Sequence, residues 1–237
     1  MGPDSAEPAR LVTLHVWRVP GRALPAALLR MAADPVALRR TPGVRFAKLL
    51  GTGSGRTFTP RDADPRTWAL LTVWHGQPDD DAAVLRRWRR LAGEEWSVTL
   101  RPLSARGRWS RREPFGRPVP RRADGPVAAL TRARLTARRA VRFWRAVPPV
   151  AADLHAGPEL RYAIGIGEAP VGVQGTFSVW ESAIALDEFA YRRAPHVAVV
   201  RRTAAEGWYA EELFARFAVL GSRGTLGGRD PMAGAGR

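Results

Sequence analysis

The stretch "TWALLTVW", residues 67–74, decides the fold. Read as a strand, it sets Trp68, Leu70, Thr72 and Trp74 on one side and Ala69, Leu71 and Val73 on the other. Both sides are apolar, so the strand belongs to a sheet covered on both faces. A second stretch, "GTFSVW" at 175–180, sets Phe177 and Val179 against Thr176, Ser178 and Trp180, and it also closes on tryptophan. Working outward, both sit in the same succession of segments. The first follows "LVTLHVWRV", a helical stretch over 24–38 and "VRFAKLLGTGSG", and it precedes a helix over 80–91 and "EEWSVTLRPL". The second follows "VAALTRARL", a helix over 139–155 and "LRYAIGIGEAP", and it precedes helical residues over 182–206 and "AEELFARFAVLG".

Each half therefore reads β-α-β-β-α-β. The details agree: glycines close each second strand, and a Glu-Glu pair, Glu94-Glu95 or Glu211-Glu212, precedes each last strand. Such a unit is ferredoxin-like, with both helices on one face of its sheet. The bare face must be buried, and two units in one chain can cover each other. The expected fold is α+β, with tandem ferredoxin-like repeats forming an intrachain barrel. The N-terminal half spans 11–107 and the C-terminal half 127–220. A Pro-, Gly- and Arg-rich linker covers 108–126, and 221–237 reads as an irregular tail.

The 237 residues are 45% hydrophobic, enough for a core, and carry a net charge of +16. All but one of the 38 basic residues are arginine, Lys48 being the exception. So positive a surface draws anionic partners: nucleic acid, anionic lipid or an acidic protein. No nucleic-acid-binding motif singles out the first of these. Cysteine is absent, which excludes disulfides, iron–sulfur clusters, cysteine nucleophiles and a thiolate-ligated haem. The polar start "MGPDSAEPAR" is no signal peptide, and no apolar run approaches the roughly 18 residues of a membrane span. The expected location is the cytoplasm, with peripheral contact at a membrane surface through the arginines.

Several motifs fall short of a site. "GTGSG" at 51–55 lacks the lysine and hydroxyl of a phosphate-binding loop and reads as a hairpin connection. Glu168, in "GIGEAP", reads as a solvated turn carboxylate. His15, His75, His155 and His196 have no metal-site spacing. "PDDDA" at 78–82 reads as a helix N-terminal cap. In "FAYRRAPHVAVVRR", residues 189–202, His196 lies seven residues past Phe189 and so on the same helical face. Pro195 suits the first turn of a restarted helix, and Arg192, Arg193, Arg201 and Arg202 ring the histidine. Helix end and arginines both favour a neutral imidazole. Two readings stand: a packed histidine with one hydrogen bond, or the axial ligand of a haem whose propionates the arginines hold.

"RFAKLLGTGSGRTFTPRDADPRTWALLTVW", "AVRFWRAVPPVAADL", "GIGEAPVGVQGTFSVWES", "FAYRRAPH" and "GWYAEELFARF" together resemble the spheroidene monooxygenase family of carotenoid biosynthesis. The resemblance runs from about Val12 to Asp230 and is most specific in the last two segments. It implies a haem-dependent monooxygenase that takes electrons from a reduced ferredoxin, or a similar acidic donor, and oxidises an acyclic carotenoid with O2. Carried over, His196 is the ligand to haem iron, one haem per chain. Arg192, Arg193, Arg201 and Arg202 are propionate partners. Gln174 and Arg145 are the distal, catalytic candidates. Trp74, Phe177, Trp180 and Phe189 are expected to line an apolar substrate pocket.

Two rivals remain. Histidine-ligated haem on ferredoxin-like barrels also serves peroxidase-like, chlorite-degrading and aldoxime-dehydrating enzymes. A basic binding module without cofactor would show salt-sensitive association with an anionic partner.

Overall fold

The computed structural model describes residues 10–54, 62–118, 122–135, 159–168, 173–192 and 209–233. In chain order they form β1 (Leu11–Arg18), α1 (Leu24–Arg39), β2 (Val44–Gly53), β3 (Ala63–Trp74), α2 (Ala83–Leu91), β4 (Glu94–Gly107), β5 (Val127–Leu135), β6 (Leu160–Gly167), β7 (Val173–Trp180), α3 (Ala183–Arg192) and β8 (Tyr209–Gly224). The α+β class is as expected, and the first half has the expected β-α-β-β-α-β order. In the second half the helix expected over 139–155 lies outside the described residues, as does the expected helical stretch beyond Arg192.

The strands close into a barrel in the order β1-β3-β2-β6-β7-β5-β8-β4. Within each half the order is last, first, third, second: β4-β1-β3-β2 and β8-β5-β7-β6. Two unequal seams join the halves. One runs the length of β4 and β8, from Trp96 opposite Gly224 to Gly107 opposite Leu213. The other is short: Gly51, Thr52 and Gly53 pair with Gly167, Ile166 and Gly165. The glycines closing each second strand thus meet each other across the barrel seam as well as leading into hairpins.

Parity along the strands sorts the side chains as "TWALLTVW" suggests. Val12, Leu14, Phe46, Leu71, Val98, Leu130, Ile164, Phe177 and Phe217 belong to one buried cluster that draws on all eight strands, the packed barrel interior. Trp17, Trp68, Leu70 and Trp74 face outward and pack with Val84, Leu85 and Trp88 of α2 and Leu38 of α1. Trp180 faces outward in the second half, against Leu186 and Phe189 of α3. Ser182 starts α3 by accepting the Ala185 amide at 3.1 Å.

Both barrel ends are closed by matching turns. Gly107 and Gly224 end their strands with φ of 96° and 86°. An ideal Cβ there would lie 2.1 Å from the Glu212 carbonyl oxygen and 2.0 Å from that of Glu95. Two-residue turns follow, bridging Trp109 to Arg112 and Leu226 to Arg229. Their central residues, Ser110-Arg111 and Gly227-Gly228, all have positive φ. Trp109 and Phe115 enter the interior cluster at one end, and Leu226 and Met232 pack on it at the other.

Two expectations are corrected. The tail read as irregular from Gly221 is strand through Gly224, because β4 offers it a partner as far as Trp96. The acidic run at 78–82 does not cap α2. That helix begins at Ala83 with no side-chain cap, while Asp79 accepts the Asp81 amide at 2.9 Å and Asp80 pairs with Arg223 at 2.7 Å.

Candidate active site

The outward faces of the two halves differ in what fills them. Across β1, β3 and β2, the outward row next to Trp74 is small, Thr13–Thr72–Ala47, and the two beyond it are bulky: His15 pairs with Leu70, which pairs with Leu49, and Trp17 pairs with Trp68. Across β5, β7 and β6 the rows are small. Ala129 pairs with Ser178, which pairs with Ala163, and Thr131 pairs with Thr176, which pairs with Gly165. The next row is Ala133, Gln174 and Gly167. Thr131 is exposed, and Ala129, Ala163 and Thr176 are only half-buried. The first small row is common to both halves; beyond it the second half keeps small side chains at Thr131, Thr176 and Gly165 where the first has His15, Leu70 and Leu49, and then Trp17 and Trp68. Trp180 and Phe189 bound the second half's rows at one end, 4.9 Å apart between ring centroids.

The proposed pocket residues do not share one cavity. Trp74 lies under α1 and α2, where its Nε1 donates to Thr13 Oγ1 at 2.9 Å. Phe177 is in the barrel interior. Trp180 and Phe189 are together under α3. The expectation that Trp74, Phe177 and Trp180 line one barrel pocket is corrected: successive residues of a strand point to opposite faces, and the interior is filled by core side chains. Gln174 occupies the third row of the second half by register, and Arg192 ends α3. Arg145, Arg193, His196, Arg201 and Arg202 lie outside the described residues.

At the end where β8 begins, the inward parity continues into charged residues. Arg132 follows Ala128 and Leu130, Glu211 precedes Leu213, Glu168 follows Ile164 and Ile166, and Lys48 falls between Phe46 and Leu50. Arg132, 4% exposed, binds Glu211 through Nη1 and Glu168 through Nη2 at 3.3 Å. Lys48 Nζ is 2.8 Å from Glu168 and 2.7 Å from Ser110 Oγ. Trp109 Nε1 donates to Glu168, and the Arg132 guanidinium lies 5.4 Å from the Trp109 ring centroid. The amides of Ser110 and Arg111 donate to Glu211 at 3.1 and 2.7 Å. Burial alone would raise the Glu211 pKa, but the Arg111 amide, the Arg132 side chain and the Ser110 amide outweigh it and hold the carboxyl below its usual value.

Sequence reading missed this network and took Glu168 for a solvated turn carboxylate; it is instead an ion-pair hub. The available signal was phase. Alternation carried past the last inward apolar residue of β5 and β6, and back before Leu213 of β8, puts a charge inward each time, and on β2 it puts Lys48 inward between Phe46 and Leu50.

The first half holds its own buried polar group. His15 is 1% exposed, stacks on Trp17 at 5.5 Å and meets Glu95 through Nδ1 at 3.1 Å. Arg89 closes on the same carboxylate at 2.9 Å. Burial lowers the His15 pKa despite the opposing hydrogen bond to Glu95. Glu95 is itself held low: burial pushes it up, and the bonds from His15 and Arg89 more than reverse that. The neutral ring donates Nδ1–H to Glu95, so Nε2 is a buried acceptor with no partner among the described residues. No group of three or more His, Cys, Asp or Glu positioned to hold a metal ion occurs among the described residues.

No family model matches the chain. Relatives do, and three are each named spheroidene monooxygenase. That of Rhodobacter capsulatus is 38% identical over 234 residues, covering 94% of this chain and 95% of the relative. That of Cereibacter sphaeroides is 36% identical over 212 residues and 86% of this chain, which spans 64% of that relative's length. That of Rubrivivax gelatinosus is 38% identical over 215 residues, covering 86% of this chain and 82% of the relative. Among solved structures, an aldoxime dehydratase superposes with a TM-score of 0.58 at 12% identity, covering 92% of this chain and 87% of that one. A second, in complex with butyraldoxime, gives 0.56 at 12% identity, covering 91% and 81%. These likenesses show the fold alone.

Proposed function

The chain belongs to the spheroidene monooxygenase family, and from that kinship we propose that it is a carotenoid monooxygenase working with O2 and electrons from an acidic ferredoxin-type donor. The observation that carries the reading is the shared name of relatives at 36–38% identity over most of this chain. The two halves read as tandem ferredoxin-like units that differ in how bulky their outward rows are.

The cofactor in this reading is a haem, and one feature of the described residues supports it. The row of Thr131, Thr176 and Gly165 holds small side chains where the first half has His15, Leu70 and Leu49 with Trp17 and Trp68 beyond. In a chain without cysteine, His196 supplies the neutral nitrogen to iron. Arg192, Arg193, Arg201 and Arg202 hold the propionates through charge-assisted hydrogen bonds. When bound, haem supplies the activation of O2. The chain's own residues orient the polyene and exclude water. Gln174, in the third row by register, and Arg145 would be the hydrogen-bond donors to the reacting groups. The net charge of +16 draws the acidic donor.

The test is turnover of spheroidene with reduced ferredoxin under ¹⁸O-labelled O2, followed by mass spectrometry of the product. Label in the carotenoid, dependent on reductant, is expected. Oxygen drawn from water, or turnover with peroxide alone and none with O2 and reductant, would contradict a monooxygenase.

A further inference from the structure

Helix α1 is apolar on both sides: Ala27 and Leu38 are buried in the outer core, with Leu24, Met31 and Ala37 packed against it. Its only carboxylate, Asp34, is 2% exposed and points inward, accepting Trp88 Nε1 at 3.1 Å and Arg87 Nη2 at 3.0 Å. Its outward face carries Pro25, Leu28, Leu29, Ala32, Ala33 and Val36, spaced along one stripe at helical period. Leu28 is 59% exposed, Leu29 66% and Val36 43%. The stripe holds no charge along its length, and exposed arginines stand at both ends: Arg22 in the turn before the helix, Arg39 and Arg40 at its close.

We propose that this face is a membrane-docking surface, lying in the headgroup layer of an anionic bilayer with Leu28, Leu29 and Val36 in the acyl boundary and Arg22, Arg39 and Arg40 on the phosphates. An apolar stripe ended by cations matches an interfacial helix, and each arginine near an anionic surface adds to the attraction. Charge complementarity excludes the other obvious occupant. Packing two copies antiparallel on this face sets Arg22 against Arg39 and Arg40 of the second copy, and packing them parallel sets like ends together. Either way only cations meet, in a chain that already carries +16. A bilayer of anionic lipid supplies the missing negative charge at both ends at once. The surface belongs to the first half, so its role does not depend on the chemistry proposed for the second.

The test uses the full chain and extruded vesicles of phosphatidylcholine, with and without phosphatidylglycerol, in a co-sedimentation assay. Leu29→Glu is expected to weaken binding to the anionic vesicles about tenfold or more. Leu220→Glu, the same change at a leucine 46% exposed on β8, is expected to bind as the parent does. Because the chain has no cysteine, Leu29→Cys and Leu220→Cys each accept a single polarity-sensitive fluorophore. A blue shift on adding anionic vesicles is expected at 29 and not at 220. Equal losses in the two glutamate variants, or no shift at 29, overturns the proposal by reducing binding to diffuse charge. A dimer in solution that Leu29→Glu dissociates, with vesicle binding unchanged, overturns it in favour of a second copy.

Discussion

Arg132 stands where a buried guanidinium is paired with two carboxylates and lies over an indole, and its removal strands Glu168 and Glu211 beside the barrel core. Breaking a buried pair from one side costs about 3–5 kcal/mol, and Glu168 retains some solvent, so Arg132→Met is expected to cost about 3 kcal/mol in urea denaturation. A change within a few tenths of zero would contradict the network. His15 makes a second residue-scale prediction. Its folded-state pKa lies below its ordinary 6.5. The unfolded chain therefore binds the proton first, and the stability held by the neutral ring is complete above pH 6.5 and drains as pH falls below it. Glu95 and Glu211, also held low, add their losses only below their ordinary 4.5. Thermal melts should show a decline in Tm beginning near pH 6.5, with that first phase absent in His15→Gln. A first phase of equal size in the variant would assign it elsewhere.

The elements that close the barrel are where sequence reading and structure part. "GRWSRREPFG" (107–116) and "GTLGGRDPMA" (224–233) do the same work at opposite ends of the paired strands β4 and β8. Their shared features are backbone ones: a glycine at positive φ, a two-residue left-handed turn and an acid-proline pair. Apolar periodicity does not register these, so the first was read as linker and the second as tail. Strand identity was legible because side-chain period and burial coincide in "TWALLTVW". The charged end was hidden because inward charges break the apolar pattern that marks an interior face. The closures give an element-scale prediction. Gly228→Ala places a Cβ in open space at φ 71° and should cost about 1–2 kcal/mol of left-handed strain. Gly224→Ala meets the Glu95 carbonyl as well and should cost about 3 kcal/mol or more, as backbone strain and a displaced strand pair add. Equal costs by calorimetry would show that the close approach at Gly224 does not constrain the closure.

At the scale of the whole molecule, two halves of one strand order share a small outward row next to their closing tryptophans and differ beyond it: His15, Leu70, Trp17 and Trp68 in one, Thr131, Thr176 and Gly165 in the other. The barrel itself was legible from strand count and doubly apolar strands. A common pocket of Trp74, Phe177 and Trp180 was not, because it placed opposite-facing residues together. The proposed function puts one haem per chain on the second half, through His196. Absorption spectroscopy of the purified chain titrated with haemin, parent against His196→Ala, tests this most directly. The expected result is a Soret band saturating at one haem per chain in the parent, shifting on reduction and on addition of CO, and lost in the variant while its far-ultraviolet circular dichroism is unchanged. A parent that gives no such band, or a variant that keeps it at full stoichiometry, would contradict the assignment.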